Sequence, residues 1–139
     1  MKLIDITVSR AIPAPPADLF DVWMNPQRPG GPWFGAHRVM VNPVVDGLFY
    51  LAAQHEGRTW PHYGRFVAIE RPHRVEYTWM SEATQGVESV VTVTFEPRGD
   101  RTEVTLHHSG VPDDKMGRGH SEGWAWVLSM LADRFAKRP

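Results

Sequence analysis

Along most of this chain apolar and polar residues alternate with a period of two, and only twice does the period lengthen towards that of a helix. The alternation predicts strands over residues 38–42, 48–54, 59–70, 74–80, 88–96 and 101–109, and a looser version over 3–12 adds a first. Turn chemistry marks the boundaries. Asp46-Gly47, Glu56-Gly57 and Gly99-Asp100 are hairpin dipeptides, Arg71-Pro72-His73 breaks the chain, and Thr84-Gln85-Gly86 lies in a polar link. Successive hairpins predict an antiparallel meander of about seven strands.

The first helical stretch follows Pro13-Ala14-Pro15-Pro16, which ends a strand and can open a helix over 16–24, with Ala17, Phe20, Val22, Trp23 and Met24 available to a core. The second begins somewhere between Asp113 and His120 and runs to Phe135. At roughly 100° per residue, His120, Trp124, Val127, Leu128, Leu131 and Phe135 form one stripe, and the sheet is what can bury it. The expected fold class is therefore α+β: one domain over 1–139, a curved antiparallel sheet wrapped around a long C-terminal helix, with short helices after the first strand. Gly30-Gly31-Pro32 delivers Trp33 and Phe34, which are costly to leave in water and are expected to plug one end of the core.

Strand parity sorts inner from outer positions. Val75, Tyr77 and Trp79 oppose Glu76 and Thr78; Val91, Val93 and Phe95 oppose Thr92 and Thr94; Val104, Leu106 and His108 oppose Glu103, Thr105 and His107. Over 48–54 both faces are apolar, so parity does not choose, and Phe49 and Leu51 are taken as inward. A helix of about 10–12 Å diameter cannot fill the hollow of a seven-stranded sheet, so a cavity is expected. Trp33, Phe34, Trp60, Tyr77, Trp79 and Trp124 then either line a pocket or complete the core, together with Phe49, Leu51 and Leu128. His62, His108 and His120 could converge on the cavity. Each is read either as a polar anchor for a ligand, with His108 foremost, or as a neutral buried histidine satisfied by a protein partner. Gly123 is expected to let the helix approach the sheet closely. Trp126 falls about 160° from the stripe centre, so either the loop after the first helix covers it or it belongs to an association surface, which makes a homodimer possible.

Composition narrows the chemistry. Fifteen basic against sixteen acidic residues, with no run of either sign, give nucleic acid or an anionic membrane no electrostatic handle. The chain has no cysteine, which removes disulfides and thiolate chemistry and suits the cytoplasm. The N-terminus lacks the apolar core of a signal peptide, and no segment reaches the ~20 apolar residues of a membrane span. His107 and His108 point to opposite faces, so no metal is expected. Ser109 and Ser121 lack a nucleophile-elbow context, the glycine clusters lack a phosphate-loop ending, and nothing calls for a cofactor or names catalytic residues.

Phe20-Asp21-Val22-Trp23 after a proline-led helix start resembles the family of homologues of the activator of the Hsp90 ATPase, within the START-like (SRPBCC) superfamily. So do Asp46-Gly47-Leu48-Phe49, Gly64-Arg65-Phe66 with Arg71-Pro72, and Val75-Glu76-Tyr77-Thr78-Trp79. Val91 to Pro97, Leu106-His107-His108 and Gly119-His120-Ser121-Glu122-Gly123-Trp124 extend the likeness over essentially the whole chain. The resemblance implies a helix-grip fold with a hydrophobic cavity between sheet and C-terminal helix. It also brings an Hsp90-type chaperone into view as a partner, but eukaryotic co-chaperones of the family engage it through an additional N-terminal domain, for which this chain leaves no residues. The expected function is binding of a small hydrophobic molecule in the cavity. A cyclase-like or hydrolytic enzyme using the same cavity, and a chaperone-linked or other protein-interaction module, stand as alternatives.

Overall fold

A computed structural model describes residues 1–136. Seven strands form one antiparallel sheet: β1 (Leu3–Ile12), β2 (Arg38–Val41), β3 (Leu48–His55), β4 (Arg58–Glu70), β5 (Arg74–Ser81), β6 (Ser89–Arg98) and β7 (Arg101–Pro112). The order across the sheet is β1-β7-β6-β5-β4-β3-β2, so every neighbour from β2 to β7 is a hairpin partner and β1 closes against the last strand. Register shifts between Ile4 and Ile6 in β1, and between Phe66 and Ala68 in β4, add a residue on one side of each ladder and bend the sheet. The turns behave as their residues require. Asp46, Glu56, Gly57 and Gly99 all adopt positive φ at the ends of strands.

Helix α1 (Pro16–Met24) begins on a proline and buries Leu19, Phe20, Val22 and Trp23. A single helix follows the first strand, where more than one was expected; Asn25 to Ala36 runs as turns, since Pro26, Pro29 and Pro32 deny it a helical ladder. Arg71 donates two hydrogen bonds of 2.8 Å to Asp21, tying α1 to the β4–β5 turn and holding the Asp21 carboxyl below its usual range. Trp33 is fully buried at the hub of an aromatic cluster, with ring centres 5.4 Å from Phe49, 5.7 Å from Phe66 and 5.3 Å from Tyr77. Its loop reaches that depth because Gly31 lies against α1, where a Cβ would come within 2.2 Å of the Trp23 carbonyl oxygen. Phe34 stays half-buried.

The C-terminal helical region is broken in two. A short turn, α2 (Lys115–Arg118), is capped by Asp114, whose side chain accepts from the Gly117 N–H at 2.7 Å; α3 (His120–Arg134) then starts afresh. Gly117 is the residue whose missing side chain matters, because a Cβ there would meet the Pro112 carbonyl oxygen at 1.8 Å. Gly123 differs from its expectation: nothing lies within 4 Å of where its Cβ would be, since the cavity lies beside it and the sheet does not touch it. Trp124, Leu128, Leu131 and Ala132 form the buried stripe of α3. Trp126 is 64% exposed, so the loop after α1 does not cover it. Among the described residues no helix is long and apolar enough to cross a membrane.

Inner strand positions follow parity. Val75, Tyr77, Val91, Val93, Val104, Leu106 and His108 are all fully buried, and Phe49 and Leu51 face inward at 4% exposure.

Candidate functional site

The interior divides along the axis of α3. Towards its C-terminal end Leu128 and Leu131 close onto the core with Phe20, Trp23, Phe95 and the Trp33 cluster. Towards its N-terminal end the helix stands away from β3 and β4 and leaves a cavity of about 600 Å³, within the usual range for small-molecule sites. Leu51 and Ala53 of β3, His62 of β4 and Trp79 of β5 form the sheet side; Gly119, His120, Gly123, Trp124, Trp126 and Val127 form the helix side. Pro32, Ala83 and Met116 close the ends, and Gln54 and His55 lie on the exposed rim.

Five of the residues expected from the sequence to contact a ligand meet at this cavity, Leu51, His62, Trp79, His120 and Trp124, and Gly123 and Trp126, which the sequence singled out for other roles, join them. Trp79 and Trp124 are the centre of the wall, with ring centres 4.9 Å apart, and His62 lies 5.0 Å from Trp79. Trp33, Phe49 and Tyr77 pack behind the wall, with Phe49 bridging to Trp79 at 5.9 Å, and Leu128 lies one turn further along α3. Phe34 is not on the wall. Trp60 is not either, and the Arg58 guanidinium, itself paired with Glu82, stacks 4.0 Å above its ring.

His108 is also off the wall, fully buried behind Trp124. Its hydrogen bonds define its tautomer. Trp124 Nε1–H can only donate and does so to His108 Nδ1 at 3.0 Å, which leaves the proton on Nε2. Nε2 meets Ser89 Oγ at 2.7 Å, and the Ser89 hydroxyl in turn donates to the Trp79 carbonyl oxygen at 2.5 Å. The proton directions run away from a nucleophile. Ser89 gives its proton to a carbonyl while His108, already accepting from Trp124, offers it no base. The chain therefore acts as a brace: a neutral histidine connects the two tryptophans of the wall, one through its indole and the other through its backbone.

Burial pushes the His62 imidazole down to about 4 and that of His108 down to about 3, because each cation would lose its hydration; nearby His120 adds to both effects. His120 is lowered for the same first reason. All three are neutral at pH 7. His62 donates Nδ1–H to the Trp60 carbonyl oxygen at 2.9 Å, and His120 donates Nδ1–H to that of Gly117 at 2.9 Å. Among the described residues no group of three or more side chains could hold a metal ion.

Small residues contribute much of the cavity: Ala53, Ala83 and Gly123 line it with little volume, and nothing lies within 4 Å of a Cβ placed on Gly123. They are the lining residues that reasoning from aromatics and histidines passes over. The available signal was Ala53, which follows Phe49 and Leu51 on the same strand face.

The chain is similar in structure to CalU16 from Micromonospora echinospora, with 22% identity, 96% of this chain and 77% of that one covered, and a TM-score of 0.76. Protein CV1439 from Chromobacterium violaceum gives 20% identity, 96% and 99% coverage and a TM-score of 0.79. The Aha1 dimer from Colwellia psychrerythraea gives 15%, 95% and 96%, and 0.71. At these identities the likeness shows the fold. No curated protein matches the chain. The model of the family described as activator of Hsp90 ATPase homolog 1-like protein matches residues 13–136, and the chain, with its seven-stranded sheet gripping a C-terminal helix, belongs to that family.

Proposed function

We propose that this protein binds a small lipophilic molecule in the cavity between β3–β5 and the N-terminal half of α3. The observation that supports it is the cavity of about 600 Å³ whose wall carries Leu51, Trp79, Trp124, Trp126 and Val127. Apolar surface of this kind, kept clear of protein atoms, gains on the order of 25 cal/mol per Å² when a ligand covers it. Binding is favoured over catalysis because Ser89 and His108, the buried serine–histidine pair among the described residues, are oriented as a brace.

A neutral dye such as Nile red tests the reading. Saturable one-to-one binding with quenching of tryptophan emission is expected. Gly123→Trp, which places a large ring in open space, should weaken binding at least tenfold without lowering the melting temperature. An affinity unchanged in Gly123→Trp would contradict the proposal.

A second reading, self-association, draws on Trp126 at 64% exposure beside Met116 at 42%, and on the similarity in fold to a protein solved as a dimer. Sedimentation of wild type against Trp126→Glu tests it: a dimer that becomes a monomer supports this reading, and a wild-type monomer ends it.

A further inference from the structure

The polar groups of the cavity carry information about what it can hold. None of its lining residues is aspartate, glutamate, lysine or arginine, so no fixed charge is available to an ionic ligand. Gln54 and His55 belong to the exposed rim. Deeper in, the polar side chains are His62 and His120, both half-buried, and both are committed in the same way. A backbone carbonyl can only accept, so the 2.9 Å contacts to Trp60 and Gly117 require the proton on Nδ1 of each ring. A neutral imidazole has one such proton. Nε2 of each ring therefore presents a lone pair; beyond the Nδ1 bond neither ring closes a further hydrogen bond of good geometry among the described residues, the backbones of Leu51 and Met116 lying near His62 and His120 as secondary contacts. Of the indole donors on the wall, Trp124 Nε1–H is given to His108 and Trp79 Nε1 is sealed from solvent, which leaves that of Trp126 at the exposed edge of the helix.

We infer that the cavity selects neutral, planar aromatic molecules bearing a hydroxyl donor, the phenol and naphthol class, with the hydroxyl directed at the free Nε2 of His62 or His120 and the ring against Trp79 and Trp124. This rests on the binding reading above and narrows it to a ligand class. The geometry supplies three selections. The tryptophan faces favour a flat ring over a branched aliphatic chain of the same size. The two acceptors discriminate against a ligand that can only accept, because it would cover their lone pairs and leave them unpaired. An anion would enter an apolar site without a cation to meet it, and an unpaired buried charge is far costlier than a neutral hydroxyl.

The test compares 2-naphthol with 2-methoxynaphthalene, which keeps the ring and loses the donor, and with 2-naphthoate, which adds a charge, by calorimetry at pH 7.5. At least tenfold tighter binding of 2-naphthol than of either analogue is expected. In the His62→Leu/His120→Leu variant its preference over 2-methoxynaphthalene should shrink to within about threefold, because 2-naphthol loses its acceptor and the methoxy compound no longer covers an unpaired lone pair. Wild-type protein labelled with ¹⁵N-histidine gives a readout that does not depend on the variant folding: 2-naphthol should move the Nε2 resonance of His62 or His120 upfield. Equal affinity for 2-naphthol and 2-methoxynaphthalene, tighter binding of 2-naphthoate, a preference that survives the double substitution, or unmoved Nε2 resonances under saturating 2-naphthol would overturn the inference while leaving a lipophilic site standing. Failure of all three compounds and of Nile red to bind would overturn the binding reading itself.

Discussion

The two ends of the interior are built from the same kinds of residue and finish in opposite states. Around Trp33 the rings of Phe49, Phe66 and Tyr77 lie within 6.0 Å of one another, and polar atoms are sealed in: the Trp33 indole N–H closes no hydrogen bond, and the Trp23 indole and the Tyr77 hydroxyl have only each other nearby, without good geometry. Around Trp79 and Trp124 the rings stop at a wall, and apart from the Trp79 indole N–H, which is sealed in as well, the polar atoms are organised. Trp124 is tied to His108, His62 and His120 each have one nitrogen tied to a carbonyl, and the remaining nitrogens are left for something else. The difference shows that aromatic residues do not by themselves separate core from site. What separates them here is the size of their neighbours, with Gly123, Ala53 and Ala83 holding open the second region.

The sharpest way to test this contrast is to remove volume from each end. Trp33→Ala should cost about 4 kcal/mol in urea unfolding, because a fully packed site gains a cavity, whereas Val127→Ala, whose side chain already borders free space, should cost under about 1 kcal/mol. Similar losses at both sites would show that the cavity region is packed after all.

Acid should reach the cavity end through its histidines. In the unfolded chain His62 titrates near 6.5, and in the fold only near 4. Between these values the unfolded chain takes up a proton that the folded chain refuses. Stability is thus complete above about pH 6.5 and declines as pH falls towards 4. His62 alone accounts for roughly 3 kcal/mol of that decline. His108, held neutral to about 3, and His120 add to it in the same direction. Thermal melts from pH 7.5 to 4 measure the slope, and it should flatten in His62→Gln. A slope unchanged in that variant would remove His62 from the account.

Gly123→Ala should raise stability by about 1 kcal/mol, since the added methyl meets open space and the helix loses its most flexible interior position. A lower melting temperature would restore the close-packing role expected from the sequence. The smallest effect belongs to Trp126→Glu, which should alter monomer stability by less than about 0.5 kcal/mol, as is usual for exposed positions. A larger loss would mean that Trp126 is covered.

The sheet was legible because its signals are local. Alternation such as Val75-Glu76-Tyr77-Thr78-Trp79 needs no knowledge of partners, and glycine or aspartate at positive φ marks the turns within a few residues. The helical stripe of α3 was legible for the same reason, although its start was blurred by Gly117 and Gly119, where a break was inseparable from a weak first turn. The site was legible only in part. Parity pointed His108 inward but could not show that Trp124, sixteen residues away, would complete its hydrogen bonds and withdraw it behind the wall. Gly123 and Gly117 are equivalent as letters. Only the path of the Pro112 carbonyl makes one a requirement and leaves the other an opening. A cavity is an absence of volume, and absences come from long-range placement of small residues, which carry no periodic signal.

The central claim is that the interior is packed at one end and receptive at the other, and the six tryptophans can report on it together. In a ¹⁵N spectrum of the indole N–H groups, titration with 2-naphthol should move Trp79, Trp124 and Trp126 saturably and to the largest extent, with Trp33 and Trp60 moving least. Resonances that all stay still, or a Trp33 signal that moves ahead of Trp79 and Trp124, would contradict the account.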